Sequence, residues 1–377
     1  MQYHQFRELS LSALGLGCMR LPVVDGNNGV IDQAKLDEMV DFAMANGINY
    51  YDTAWVYHDG TSEEAIGKSL ARYPRKKWHI ASKLPGFDIP NIEKKDEIFE
   101  TQLKRCGVEY FDFYLFHNIC EADIDFYLDP KYGVLDYFFE QKRLGRIKHL
   151  GFSSHGAPET MKRFLDACKG EMEFCQIELN WLDWELQNAK AKVALLQEYK
   201  VPIWIMEPLR GGKLANLTDG YAEKLKALHP EWKIPEWSFR YLQGIEGVTV
   251  TLSGMSNMQQ LQENIATFAE VAPLTEAETA VLYEIAADMM AKKTLPCTGC
   301  RYCTPHCPQS LNIPWLIELY NERLYSGDNF ITEMAVDSLP EDKRPSACIG
   351  CRGCEAVCPQ GIKISEMMQD FTEKLKK

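Results

Sequence analysis

The sequence predicts an α/β protein: a closed (β/α)8 barrel, the TIM barrel, followed by a small, mainly α-helical, cysteine-rich domain. Three observations carry this reading. Between about residues 12 and 270, short β-rich runs alternate with amphipathic helical stretches, the pattern of parallel βαβ units. There are eight such runs over roughly 260 residues, which suits a closed barrel better than an open doubly wound sheet, the remaining alternative. Beyond residue 296, eight of the 13 cysteines fall into two dense clusters. The expected division is therefore a barrel over 1–290 and a cysteine-rich domain over 291–377.

Taken in order, segment 3–12 has strand character and is expected to form a hairpin closing the barrel bottom. Barrel strands are expected at 14–18, 49–53, 79–83, 111–117, 148–153, 175–180, 202–206 and 248–253. Helical patterns run over 33–45, 63–72, 157–168, 188–199 and 258–266, several of them preceded by a capping Asp, Ser or Asn. A further helix over 276–292 leads out of the barrel pattern, and another over 314–324 lies in the tail.

Composition narrows the function. The chain has 377 residues, 46% apolar and 25% charged, as a globular protein should. Its 41 Lys and Arg stand against 54 Asp and Glu, a net charge of −13 that repels nucleic acid and anionic membrane alike. The opening residues are mixed polar, and no run approaches the roughly 18 apolar residues of a membrane helix. A cytoplasmic protein with no nucleic-acid or membrane partner is expected. Five cysteines, Cys18, Cys106, Cys120, Cys168 and Cys175, are scattered singly. A reducing compartment would not keep disulfides, so the clustered ones point to metal.

Those clusters share one spacing. Cys297, Cys300, Cys303 and Cys307, followed by Pro308, read CxxCxxCxxxCP; Cys348, Cys351, Cys354 and Cys358, followed by Pro359, repeat it. This is the bacterial ferredoxin run, in which three close thiolates hold one cubane and the fourth reaches the other. One [4Fe-4S] cluster is thus assigned to Cys297, Cys300, Cys303 and Cys358, the other to Cys348, Cys351, Cys354 and Cys307. Structural zinc is the alternative, but zinc sites pair two CxxC motifs and have no use for a third cysteine two residues on. The forty residues between the motifs have helical patterning, so the tail is expected to be an α-helical ferredoxin-like domain. Two clusters with their thiolates bring the formal charge to about −17. Arg301 and Arg352, inside the motifs, either offset that charge or are solvated loop residues.

In the barrel, Asp52, Tyr57, Lys83 and His117 each lie at or just beyond the carboxyl end of an expected strand, the face on which barrel enzymes place their chemistry. Taken singly, such a strand-end residue is more often a structural ion pair or a satisfied polar group. Together they form a constellation.

Over about residues 3–270 the chain resembles the aldo-keto reductase family, through LGLGCMRLP, NYYDTAWVYHDGTSEEAIGKSL, IASKL, YFDFYLFHN, GRIKHLGFSS, QIELN and SGMSNMQQLQEN. The resemblance implies that Asp52, Tyr57, Lys83 and His117 are a catalytic tetrad for reducing a small aldehyde or ketone to an alcohol with NADP(H) or NAD(H). Tyr57 would protonate the carbonyl oxygen, with Lys83, held by Asp52, lowering the phenol's pKa, and His117 would orient the substrate oxygen. It also implies nucleotide contacts at Met19, Asp52, Ser153, Ser154, Gln176, Met206 and Leu209, with Gly254, Ser256, Gln260, Glu263 and Asn264 on the adenosine side. The chain departs from the family pattern at Ser154, where an asparagine is usual, and at Met206 and Glu207, where an aromatic and a serine are usual. A carboxylate near a pyrophosphate needs cations, which Arg210 and Lys213 are placed to supply; the alternative pairs Glu207 with Arg210 and puts no nucleotide nearby. No Lys or Arg stands within 254–264 to grip a 2′-phosphate.

A hydride carries two electrons and a cluster one, and the sequence shows no flavin fingerprint to join them. The clusters are accordingly expected to support the fold, to sense oxygen, or to exchange electrons with a protein partner. The alternative to a reductase is a barrel without turnover, serving as scaffold for an iron-sulfur electron-transfer adaptor or redox sensor.

Overall fold

The computed structural model describes residues 1–86, 89–121, 123–218, 220–295, 297, 303–327, 330–358 and 360–376. It divides into two compact units, Met1–Thr279 and Ala280–Lys377.

The first unit is the expected barrel. A hairpin of β1 (Tyr3–Phe6) and β2 (Leu9–Ser12) precedes eight parallel strands: β3 (Leu14–Gly17), β4 (Tyr50–Asp52), β5 (His79–Leu84), β6 (Phe111–Ile119), β7 (Ile147–Ser154), β8 (Cys175–Glu178), β9 (Ile203–Met206) and β10 (Val248–Ser253). These close in chain order, with β10 pairing both β9 and β3. Parallel strands covered on both faces read as continuous apolar runs, and β6 is buried at all but one of its positions. The hairpin sends Phe6 and Leu11 into the same core as Tyr50, Phe113, Phe174 and Trp204, with the Phe6 ring 5.0 Å from Trp204.

Helices form where the apolar spacing and the caps agree. Pro158–Cys168 opens on proline and buries Met161, Phe164, Leu165 and Cys168, one stripe of a 3.6-residue period. The Asp32 side chain caps Gln33–Ala45 by accepting from Lys35 N, and Asn257 caps Met258–Thr267 by accepting from Gln260 N. The expected strand over 175–180 stops at Glu178. Asn180 Oδ1 instead accepts from the Leu182 and Asp183 amides at 3.1 and 2.9 Å, which turns the chain into the next helix.

The second unit packs Ile313–Ser326 against Ile364–Lys374 around Leu311, Ile313, Leu316, Ile317, Ile364, Met367, Met368 and Phe371. The Tyr320 hydroxyl donates to Asp370 Oδ2 at 2.5 Å across that pair. No helix among the described residues is long and apolar enough to cross a membrane.

Candidate functional site

The carboxyl ends of β3, β4, β8, β9 and β10 open into a cleft of about 770 Å³. At its floor, β4 delivers Asp52 and its neighbour β5 delivers Lys83, and both side chains are all but sealed from solvent, at 3% and 0% exposed. Lys83 Nζ donates to Asp52 Oδ1 at 2.5 Å, to the Thr53 carbonyl at 2.7 Å and to Tyr57 Oη at 3.4 Å. Tyr57, half-buried, lies on the cleft wall in front of the buried lysine, so the phenol is the cleft-side end of a buried relay. The His117 ring meets Tyr57 edge to face at 6.2 Å between centroids.

Burial sets the electrostatics. Burial raises the Tyr57 phenol and outweighs the downward pull of the Lys83 ammonium, so the net direction is up, opposite to the lowering expected from the lysine alone. Burial works against the Lys83 ammonium, but Asp52 and Tyr57 overcome it and hold the group above its ordinary value. Burial also raises Asp52 against the opposing pull of Lys83. His117 is pushed well below the ordinary imidazole, first by burial and then by Lys83 and His155, and is neutral at pH 7.

Ten residues expected to touch nucleotide line this cleft: Met19, Asp52, Gln176, Met206, Leu209, Gly254, Ser256, Gln260, Glu263 and Asn264. Two of them aim buried acceptors at nothing else among the described residues, Asp52 Oδ2 and Gln176 Oε1. Buried acceptors without donors are costly, so a guest offering hydroxyl and amide protons fits here.

Four expected contacts are absent from that wall, and three of these groups are engaged elsewhere. Ser153 Oγ accepts from the Asn118 amide at 2.8 Å, while Ser154 Oγ donates to the Ile119 carbonyl at 2.6 Å; these bonds hold β7 to β6 where the register shifts. Arg210 is 5% exposed and points its Nε at both carboxylate oxygens of Asp183, each at 3.0 Å, so it serves a buried ion pair rather than a phosphate. Lys213 does not line the cleft. Glu207 pairs with neither cation: its carboxylate accepts the Gly211 amide within its own turn.

The cleft cation that sequence reasoning missed is Arg20. Its side chain crosses directly over Gly254, where a Cβ would stand 3.1 Å from Arg20 Cβ, and its Nη2 would stand 3.3 Å from a Cβ on Gly211. The signal was its position, three residues past the end of β3 on the catalytic face. Trp232, Lys226 and Lys233 also line the cleft, from the long β9–β10 connection, where no local motif marks them.

In the second unit, Cys307 of the first motif and Cys348, Cys351 and Cys354 of the second line one cavity with Leu311, Ile313, Ile364 and Met368. The Leu311 amide points at Cys307 Sγ at 3.5 Å. Among the described residues no group of three ligating side chains converges on a single-ion site; the thiols stand around a space instead. Burial lifts the Cys354 thiol to about 11, with Glu355, Cys348 and Cys307 adding to the rise, so thiolates gathered here call for cationic charge to balance them. The motifs also meet through their backbones: a Cβ at Gly353 would stand 3.0 Å from the His306 carbonyl oxygen. Cys303 is in the core of this unit, and Cys297 and Cys358 pack against it. Cys300 and Arg301 lie outside the described residues.

Both units resemble known proteins. The aldo/keto reductase family model matches residues 13–287, and a 4Fe-4S dicluster domain matches residues 296–362. A probable aldo-keto reductase 1 of Glycine max is 30% identical over 210 residues, 54% of this chain and 57% of its own length. An uncharacterized oxidoreductase of Bacillus subtilis (strain 168) is 26% identical over 306 residues, 73% of this chain and 92% of its own. Among solved structures, an aldo-keto reductase of Bacillus halodurans in its holo form superposes with a TM-score of 0.62 at 25% identity, covering 76% of this chain and 96% of that one.

Proposed function

The chain belongs to the aldo/keto reductase family, and we propose that it reduces a small aldehyde or ketone to an alcohol with NADPH or NADH, Tyr57 giving the proton. The observation that carries this is Lys83 Nζ standing between Asp52 and Tyr57 at the floor of a nucleotide-sized cleft. When bound, the dinucleotide supplies the hydride to the carbonyl carbon. Tyr57 Oη passes its proton to the carbonyl oxygen, and the Lys83 ammonium stabilises the phenolate left behind. Neutral His117, beside the phenol, orients the substrate oxygen. Gln176 Oε1 and Asp52 Oδ2 offer the acceptors that the nicotinamide end of the cofactor requires, and Arg20 the cation for its phosphates.

The dicluster domain implies two [4Fe-4S] clusters, and we assign one to Cys348, Cys351, Cys354 and Cys307, the other to Cys297, Cys300, Cys303 and Cys358. Such clusters move single electrons. Cys351 is exposed and Ile349 is 61% exposed at the edge of the four-cysteine cavity, which suits exchange of electrons with a protein partner. Tyr57→Phe tests the reductase reading. Carbonyl reduction should fall by at least about 10²-fold, with NAD(P)H affinity nearly unchanged, because the hydroxyl donates a proton and does not bind cofactor. Turnover within tenfold of wild type would sink it.

A further inference from the structure

Tyr57 opens a short turn, Tyr57–Gly60, whose backbone is unusual. His58 (φ 52°), Asp59 (φ 53°) and Gly60 (φ 87°) are all left-handed in succession. By backbone preference alone glycine would suit position 58, so the histidine there has to be explained by its side chain.

That side chain is buried, 4% exposed, and both of its nitrogens are engaged. The Leu21 amide donates to His58 Nε2 at 2.9 Å, so that nitrogen carries no proton; Nδ1 therefore bears it and donates to the Asn28 carbonyl at 2.8 Å. This neutral tautomer is assigned from the bonding partners. Leu21 and Asn28 belong to one loop, which follows the Cys18–Arg20 turn that places Met19 and Arg20 on the cleft wall. One imidazole thus pins the residue next to Tyr57 to the lip of the nucleotide cleft.

The phenol has need of such a pin. Its contact with Lys83 Nζ is the longest of the three that Nζ makes, at 3.4 Å, so the placement of Tyr57 depends on the main chain that carries it. We propose that His58 is a positioning residue: through its bonds to Leu21 and Asn28 it fixes the Tyr57–Lys83 distance, and it joins that distance to the position of the Met19–Arg20 lip. This rests on the reading of Tyr57 as the proton donor.

The test compares His58→Gly, which accepts the left-handed backbone and removes both ring bonds, with His58→Gln, whose side-chain amide can accept from Leu21 and donate to Asn28. For His58→Gly, kcat should fall about 10- to 100-fold, the scale of an ångström-sized misplacement. The alkaline limb of its pH–rate profile should move upward as Lys83 loses its hold on the phenol. The charged and titratable groups facing Tyr57 are Lys83, Asp52, Cys18 and His117, with Asp59 beside His58; the substitution leaves all of them in place. His58→Gln should stay within about threefold of wild type in kcat. A second readout needs no turnover: the ¹³C resonance of the Tyr57 ring, assigned by its loss in Tyr57→Phe, should titrate higher in His58→Gly and unchanged in His58→Gln. If His58→Gly matches wild type in both readouts, even with lowered stability, the proposal is overturned; failure of His58→Gln to restore either one also overturns it. A shifted Tyr57 titration in a protein whose wild type has no turnover would sustain the positioning role and sink the reductase reading instead.

Discussion

In the barrel, Lys83 and Asp52 meet at 2.5 Å across neighbouring strands, and the chain completes that contact with its own atoms. In the second unit, four thiols share a cavity with apolar side chains and a single described cation, Arg352. The first arrangement exists before any guest arrives, while the second leaves its charge to be balanced by one. A buried ion pair organises a site by the cost of breaking it; a ring of thiolates is organised by the iron it holds. The two halves should therefore answer differently to the loss of a side chain and to the loss of a metal.

The largest effect is expected from breaking the barrel pair. Lys83→Met strands the Asp52 carboxylate in a sealed site and should destabilise the protein by about 3–5 kcal/mol, measured by chemical denaturation. Removing both charges, in Asp52→Asn with Lys83→Met, should recover much of that stability while turnover stays lost. A double variant no more stable than the single would mean that the pair does not hold the floor of the cleft.

Iron removal sharpens the same contrast from the other side. Anaerobic holoprotein should carry iron and acid-labile sulfide near eight each per chain, from four of each per cubane. Chelation should abolish the visible absorbance and expose Ala280–Lys377 to proteolysis, whereas carbonyl reduction by the barrel should stay within about threefold. Equal loss in both would show that the barrel site depends on the clusters.

How much of this was legible in the sequence follows from how local each signal is. All eight barrel strands were visible because a parallel strand buried on both faces must be apolar along its length, and the dicluster domain was visible in cysteine spacing, a purely local quantity. The Asp52, Lys83 and Tyr57 cluster was legible as three strand-end positions, but its tuning was not. The sequence puts a lysine near a phenol, and only packing reveals that burial outweighs it. The buried pairing of Arg210 is invisible in the sequence because its partner Asp183 lies 27 residues earlier and reaches it through the turn after β8. His58 was opaque for another reason, since a left-handed histidine looks like any loop residue until its φ is seen.

The buried Asp183–Arg210 pair makes stability depend on pH. Burial lifts the Asp183 carboxyl to about 6 despite the opposing pull of Arg210. A folded-state value above the unfolded one, about 3.9, gives stability that is fully present below pH 4 and lost as pH rises through 6. Relative to Asp183→Asn, which lacks this titration, the wild type should therefore lose up to about 3 kcal/mol of stability between pH 4 and pH 7. A constant difference across that range would mean that Asp183 stays ionised throughout.

The smallest effect separates the two candidate phosphate cations. Arg20 lines the cleft beside Gly254 and Gly211, whereas Lys213 does not line it. A charge-assisted hydrogen bond to a phosphate is worth about 1.5–3 kcal/mol, so Arg20→Met should weaken NAD(P)H binding by roughly 10- to 100-fold in a fluorescence titration. Trp232 on the same wall gives that titration its signal. Lys213→Met should change affinity by less than about threefold, because a lysine off the wall acts only through screened, longer-range charge. Because Glu207 puts a carboxylate on the cleft wall and occupies the Gly211 amide, Glu207→Ser should tighten binding modestly, and the gain should vanish in the Arg20→Met background if both act on one phosphate. Reversed ranks for Arg20 and Lys213 would return the pyrophosphate to the turn after β9, as the sequence alone suggested, and leave Arg20 as a lip residue held in place through Leu21 and His58.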